Sequence, residues 1–341
     1  MFIISRYEAD DTHRPLSIGR PCGRFGANAR GTRRGLTAAE LVVVVVIIVF
    51  AALFFLMSLP RQRERARLSS CRDNLRLIGV ALLQYDQRVG CLPTVASLSP
   101  DAVYSGGSQA KQPLSPLAML LQELGMPDLR GIDDPQAPPR SETGARPTER
   151  VISGFLCPSD SNATGGLFPA PVSYRATTGP TADGRGGVFE IGRRVSLDQV
   201  ESGDGKSYTV GFCERLVGDK KAAKVGLETY FEVPGPIGDE GCDGTDASSP
   251  RGDAGGTWLT SNWRSTLYNH VLIPGAMPSC IARDGSSASM SASSGHLVGV
   301  NALVLDGGVR TFTTSVDRRI WRAWSTIDEE SKTQPTADSN P

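Results

Sequence analysis

The chain has 341 residues and balanced charge, with 36 lysines and arginines against 36 aspartates and glutamates. That length can bury a sizeable core, and the lack of a basic stripe interleaved with aromatics excludes nucleic acid as a partner. Glycine (38) and proline (23) are both above average usage, which predicts a loop-rich head over a tight helical bundle.

Residues 1–35 are arginine-rich and show no apolar period, as expected of a leader. The segment Arg33-Arg34-Gly35-Leu36-Thr37-Ala38-Ala39-Glu40 then places a basic patch, a small residue and one carboxylate at the edge of an apolar stretch. A carboxylate there is costly unless something neutralises it. Leu41 to Leu59 holds no charge and a single polar residue, Ser58, so residues 36–60 form a segment long enough to span a bilayer as a helix. The β-branched run Val42 to Val46 is a poor helix in water, but within lipid the backbone must bond to itself and helix is the viable state. A cleaved secretory signal and a plain signal anchor are the competing readings; the end of the run, Leu56-Met57-Ser58-Leu59-Pro60, offers no small-residue cleavage pattern. Arginines flank both ends of the segment, so charge alone does not orient it.

Past Pro60, where a kink is expected, the helical period resumes over residues 61–90. Leu68, Cys71, Leu75, Ile78, Leu82, Tyr85 and Val89 recur in steps of three and four, an apolar seam that predicts packing on the chain's own sheet, with a coiled-coil partner as the alternative. Gly90 and Pro93 end the helix. Residues 91–330 read as an α+β head. Its early part is a Pro/Ser/Gly-rich surface excursion with a short helix near Leu117 to Leu124. Strands are predicted at Val188 to Ile191 and Tyr208 to Cys213, with a hairpin of Val300 to Leu305 and Val309 to Thr313 around Asp306-Gly307-Gly308. Residues 331–341 are polar and read as a disordered tail.

Seven cysteines are present. With Cys22 in the leader, Cys71, Cys91, Cys157, Cys213, Cys242 and Cys280 remain. No pair forms C-x-x-C, which disfavours zinc. An even, scattered set fits disulfides in an oxidising compartment and equally fits buried free thiols. His270 and His296 stand far apart, and a set such as Ser294, His296 and Asp306 lacks the surrounding motif of a nucleophile elbow. His296 reads as a hydrogen-bonding residue ahead of the hairpin, with ligand contact as its alternative role. Asp239, Glu240, Asp243 and Asp246 gather on a glycine-rich loop whose hard oxygen donors suit calcium, although the spacing is not that of an EF-hand and a solvated acidic loop explains it equally.

The N-terminal segment resembles type IV prepilins and type II secretion pseudopilins. The resemblance implies cleavage between Gly35 and Leu36 by a prepilin peptidase and methylation of the new terminus. It also implies a pairing of Glu40 with the Leu36 amine of a neighbouring subunit. Further along, Cys71-Arg72-Asp73-Asn74-Leu75, Phe155-Leu156-Cys157-Pro158-Ser159-Asp160, Ser173-Tyr174 with Gly179, Asp204 to Val210 with Glu214, and His296 to Arg310 followed by Trp321 resemble the landmarks of a bacterial family catalogued as a domain of unknown function (DUF1559) behind a prepilin-type N-terminus. The sequence departs from that pattern at Leu297-Val298 and at Tyr208. The resemblance implies a pilin-like α+β fold: a long N-terminal transmembrane and amphipathic helix packed on an antiparallel sheet. It implies a single-pass inner-membrane protein with its head in the periplasm or extracytoplasmic space. The implied role is that of a structural subunit, not an enzyme, whose partners are other pilin or pseudopilin subunits. A tethered, non-polymerising ligand- or glycan-binding module is the alternative. Trp258, Trp263 and Tyr268 are its contact candidates, unless core packing claims them.

Overall fold

A computed structural model describes residues 37–96 (backbone alone over 56–61), 113–126, 150–242 and 249–328. The chain divides into two compact units, Met1–Met57 and Ser58–Pro341. Helix α1 (Ala38–Val89) is assigned through Pro60 and contributes to both. In the first unit, the window Ala38–Phe55 is long and apolar enough to cross a membrane, and none of it is buried. An amphipathic core helix would hide one face of that window.

The second unit is an α+β head. Along its portion of α1 the three-and-four period does what the sequence requires: Cys71, Leu75, Ile78, Ala81, Leu82 and Tyr85 are buried, while Leu77 and Val80 on the opposite side are exposed. Val89, placed on the seam by sequence, is exposed, because the helix ends there and Gly90 follows with φ +81°. Polar anchors at the seam's margin fix the helix to the sheet and to the segment before Cys157. Arg72 Nη2 donates to Thr311 Oγ1 at 2.6 Å, and Asn74 Nδ2 donates to the Leu156 carbonyl at 2.9 Å.

The main sheet has the order β4-β1-β2-β7-β8, built from β1 (Tyr174–Thr177), β2 (Val210–Glu214), β4 (Leu267–Tyr268), β7 (Val300–Val304) and β8 (Val309–Phe312). The β1–β2, β2–β7 and β7–β8 pairs are antiparallel, and β4 joins β1 in parallel. Both β2 and β7 are buried along their whole length, as expected of central strands covered on two faces. A smaller sheet pairs β3 (Phe231–Val233), β5 (Cys280–Ala282) and β6 (Ala288–Ser289). Short helices α2 (Pro116–Met119), α3 (Ser161–Thr164), α4 (Leu197–Ser202) and α5 (Arg318–Ala323) cap the periphery.

The predicted hairpin is present, and the strand expected over Tyr208 to Cys213 runs from Val210 to Glu214 because Lys206–Tyr208 forms a 3-10 turn before it, whereas Val188 to Ile191 is no strand. Val188 and Phe189 form a buried turn, and Ile191 makes an isolated bridge with Val95. Val188-Phe189-Glu190-Ile191 is too short to carry a period that tells a strand from a core-facing turn. The helix expected near Leu117 to Leu124 is one turn, continued by turn residues to Gly125. The leader, the tail and most of the Pro/Ser/Gly-rich excursion lie outside the described residues.

Candidate functional site

Four parts of the head meet at one buried point. Cys71 comes from the buried face of α1. Cys157 comes from the turn that precedes α3, Glu214 from the last position of β2, and His296 from the turn leading into β7. Local chemistry holds each piece. Asp160 caps α3 through Ala163 N at 3.2 Å, and its other oxygen accepts from Ser173 Oγ and Val217 N, both at 2.9 Å. That buried carboxylate therefore ties the Cys157 turn to β1 and to the chain leaving β2. Gly295 packs so tightly that a Cβ there would collide with the Ser159 carbonyl oxygen. Gly299 needs its glycine twice over, with φ +127° and the Phe312 carbonyl oxygen in the space of a Cβ.

Cys71 and Cys157 are joined as a disulfide with Cα atoms 5.1 Å apart. His296 Nδ1 lies 2.6 Å from Glu64 Oε1, while Nε2 lies 3.4 Å from Cys157 Sγ and 3.5 Å from Glu214 Oε1. Burial opposes a charged imidazole, but the hydrogen bonds to Glu214 and Glu64 outweigh it and hold the ring above its ordinary range. Glu214 is itself buried and accepts from Asn301 N at 2.8 Å and from Asn301 Nδ2 at 3.0 Å. Asn301 Oδ1 in turn accepts from Arg72 Nε at 3.3 Å and Thr311 Oγ1 at 2.9 Å. Glu64 is also reached by Ser159 Oγ at 3.3 Å. One sulfur, nitrogen or oxygen atom from each of Cys71, Cys157, Glu214 and His296 lies within 4.8 Å of the others. A cavity of about 200 Å³ opens beside the cluster, bordered by Ser293, Ser294, His296, Leu297 and Val298. Leu297 at its rim is 96% exposed.

His296 is thus the centre of a polar network and not the middle of a serine triad. Ser294 Oγ accepts from the backbone N–H of His296, and Asp306 Oδ1 is taken by Gly308 N in the hairpin turn. Sequence reasoning singled out His296 and both cysteines but missed Glu64, hidden in an arginine-rich run. Glu214 entered only as a family landmark. A lone acid among like-sized polar neighbours carries no local signal of a long-range partner.

The other predicted positions separate. Gly35 and Leu36 lie outside the described residues. Glu40 accepts from Thr37 N at 2.9 Å and Thr37 Oγ1 at 3.0 Å, all on Oε2, and returns its own N–H to Thr37 Oγ1 at 3.3 Å. This is a capping box at the start of α1, legible in Thr37-Ala38-Ala39-Glu40 as S/T-x-x-E before an apolar run. Of the calcium candidates, Asp239 Oδ1 accepts from Ala182 N at 2.8 Å and Glu240 Oε2 pairs with Arg318 Nη1 at 2.7 Å; Asp243 and Asp246 lie outside the described residues. Cys242 and Cys280 form the second disulfide, and Cys91 and Cys213 are free thiols. Trp258, Trp263 and Tyr268, the aromatics offered for ligand contact, are all buried. The core claims them because each ring hides more apolar area there than at a polar rim.

These features define an α+β head behind an N-terminal helix able to cross a membrane. The family described as a protein of unknown function (DUF1559) matches residues 60–319, three quarters of the chain, and the chain belongs to that family. No curated protein and no solved structure matches it.

Proposed function

We propose that this protein is a pseudopilin-like structural subunit of a type II secretion or type IV pilus-like assembly. A prepilin peptidase cuts it between Gly35 and Leu36, and the helix from Ala38 anchors it in the inner membrane with the head outside the cytoplasm. The observation that carries this reading is the Ala38–Phe55 window, wholly unburied with Glu40 as its one charged residue. Such a surface requires lipid or neighbouring apolar helices to cover it. Glu40 keeps its described contacts on a single carboxylate oxygen, so a neighbouring subunit's freed Leu36 amine can approach the other without dismantling the cap. The two disulfides fit a head that matures in an oxidising compartment. The protein acts by assembly and not by catalysis. Its competitor, a lone tethered ligand-binding module, has lost its candidate contact aromatics to the core.

The deciding measurement is the mass of the mature N-terminus, expected to begin at a methylated Leu36. An intact arginine-rich leader, or a terminus after Leu59, overturns the proposal. Beside it, Glu40→Ala is expected to insert normally yet recover at least about tenfold less of its pilin partners, since the variant removes the one charge that can answer a partner's amine. Undiminished recovery identifies a lone tether.

A further inference from the structure

We propose that Cys71, Cys157, Glu214 and His296 form a zinc site whenever the bridge between the two sulfurs is reduced, so that one buried point holds either a disulfide or a metal ion. Two thiolates, an imidazole and a carboxylate make a donor set that suits tetrahedral zinc. The positions already converge, with the four donor atoms within 4.8 Å of one another. Tetrahedral zinc with Zn–S near 2.3 Å sets the two sulfurs about 3.8 Å apart. Opening the bridge therefore asks for a shift of under about 2 Å, starting from the usual bond length near 2.05 Å.

The surroundings match a metal site more closely than a plain bridge requires. His296 faces the sulfurs with Nε2 while Nδ1 is held by Glu64 at 2.6 Å, the carboxylate–histidine pairing that orients metal-bound imidazoles. Glu214 is likewise fixed by Asn301, whose backbone N–H donates to Oε2 and whose Nδ2 donates to Oε1, and that same Oε1 lies 3.5 Å from the ring's Nε2. A disulfide alone needs neither arrangement. The donors are all buried, as in structural sites closed to solvent, and of the four only His296 borders the neighbouring cavity.

The chemistry balances. A dithiol supplies two electrons and two protons, closes to its own disulfide, and leaves Cys71 and Cys157 as thiols. Zinc then displaces both thiol protons and the proton on Nε2 to solvent, while the Nδ1 proton stays on the hydrogen bond to Glu64. In the reverse direction a partner disulfide accepts the two electrons from the thiolates and two protons from solvent, leaves as a dithiol, and the closing Cys71–Cys157 bond expels the ion.

The test uses the full chain in detergent. It is reduced with a phosphine, which takes its oxygen from water and adds no competing thiol, then desalted after one equivalent of Zn²⁺ or Co²⁺. The reduced protein is expected to retain about one zinc per chain and to show a thiolate-to-cobalt charge-transfer band; the oxidised protein shows neither. Glu64→Gln is expected to weaken retention about 10–100-fold, and the double variant Cys242→Ser/Cys280→Ser to leave it unchanged. Zinc-edge X-ray absorption on the unsubstituted protein should report two sulfur and two nitrogen or oxygen neighbours, a readout independent of whether any variant folds. A different sulfur count, equal retention by the oxidised chain, or no retention by a reduced chain that stays folded overturns the site.

Discussion

His270 and His296 stand in opposite electrostatic settings. His270 is buried, stacked on Trp321 with ring centroids 3.7 Å apart. Its Nδ1–H donates to the Trp321 carbonyl at 2.6 Å, and Nε2 accepts from the Tyr268 hydroxyl at 2.9 Å. Burial lowers its pKa to about 3, against a partial rise from the Trp321 carbonyl. The ring is therefore neutral in the fold and protonates in the unfolded chain near 6.5. Stability tied to His270 is fully present above pH 6.5 and is lost as pH falls from there toward 3, at up to about 1.4 kcal/mol per pH unit. Urea unfolding at a series of pH values should show that decline, and His270→Gln should remove that share of it while costing stability at pH 7. A variant with the same pH slope as the parent would place the titrating group elsewhere. The residue scale is also where sequence is least informative. Nothing in the order of residues says that one histidine is caged by tryptophan and the other by two glutamates.

At the scale of elements, periodicity does most of the work. The seam on α1 was legible because burial on one helix face forces an apolar residue every three or four positions. Two leucines two residues apart on that helix test it directly. Leu75 is fully buried and Leu77 is 58% exposed, so Leu75→Ala should lower the free energy of unfolding by about 2–5 kcal/mol and Leu77→Ala by about 0.5 kcal/mol or less. Denaturant midpoints under non-reducing conditions give both values, and similar losses would mean that the helix packs by a different face. The hairpin was legible for a related reason, since Asp306-Gly307-Gly308 supplies a turn between two strand-like runs. The two-residue strands β4 and β6 and the buried turn at Val188 left no such mark. They are held by tertiary hydrogen bonds such as Ala176 N to the Thr266 carbonyl and Phe189 N to the Thr177 carbonyl, not by a local pattern.

For the whole molecule, covalent closure compensates a loop-rich architecture. The Cys71–Cys157 bridge spans 86 positions and the Cys242–Cys280 bridge 38. On the chain-entropy account each constrains the unfolded chain by about 4 kcal/mol, the longer loop slightly more. Non-reducing peptide mapping should recover these two pairs and no others. Cys91, partly exposed, should alkylate readily in the native protein, while Cys213 should resist because burial, reinforced by nearby Glu214, pushes its thiol well up. Metal-free Cys71→Ser should lose about 4 kcal/mol of stability in denaturant titration; a loss below about 1 kcal/mol would show that the bridge does not form.

The amino-acid order by itself determined the features that depend on neighbours within a few turns. These are the membrane-length apolar segment, the amphipathic continuation, the final hairpin and the α+β character of the head. Each follows from local spacing, and spacing survives in a one-dimensional string. Only the tertiary structure decided which cysteines pair, which aromatics the core absorbs, and that Glu64 and Glu214 flank His296. Cys71, Cys157, Glu214 and His296 meet because α1 lies across a sheet in which β2 sits directly beside β7. Strand order is a property of the packed core, so no spacing along the chain could announce it.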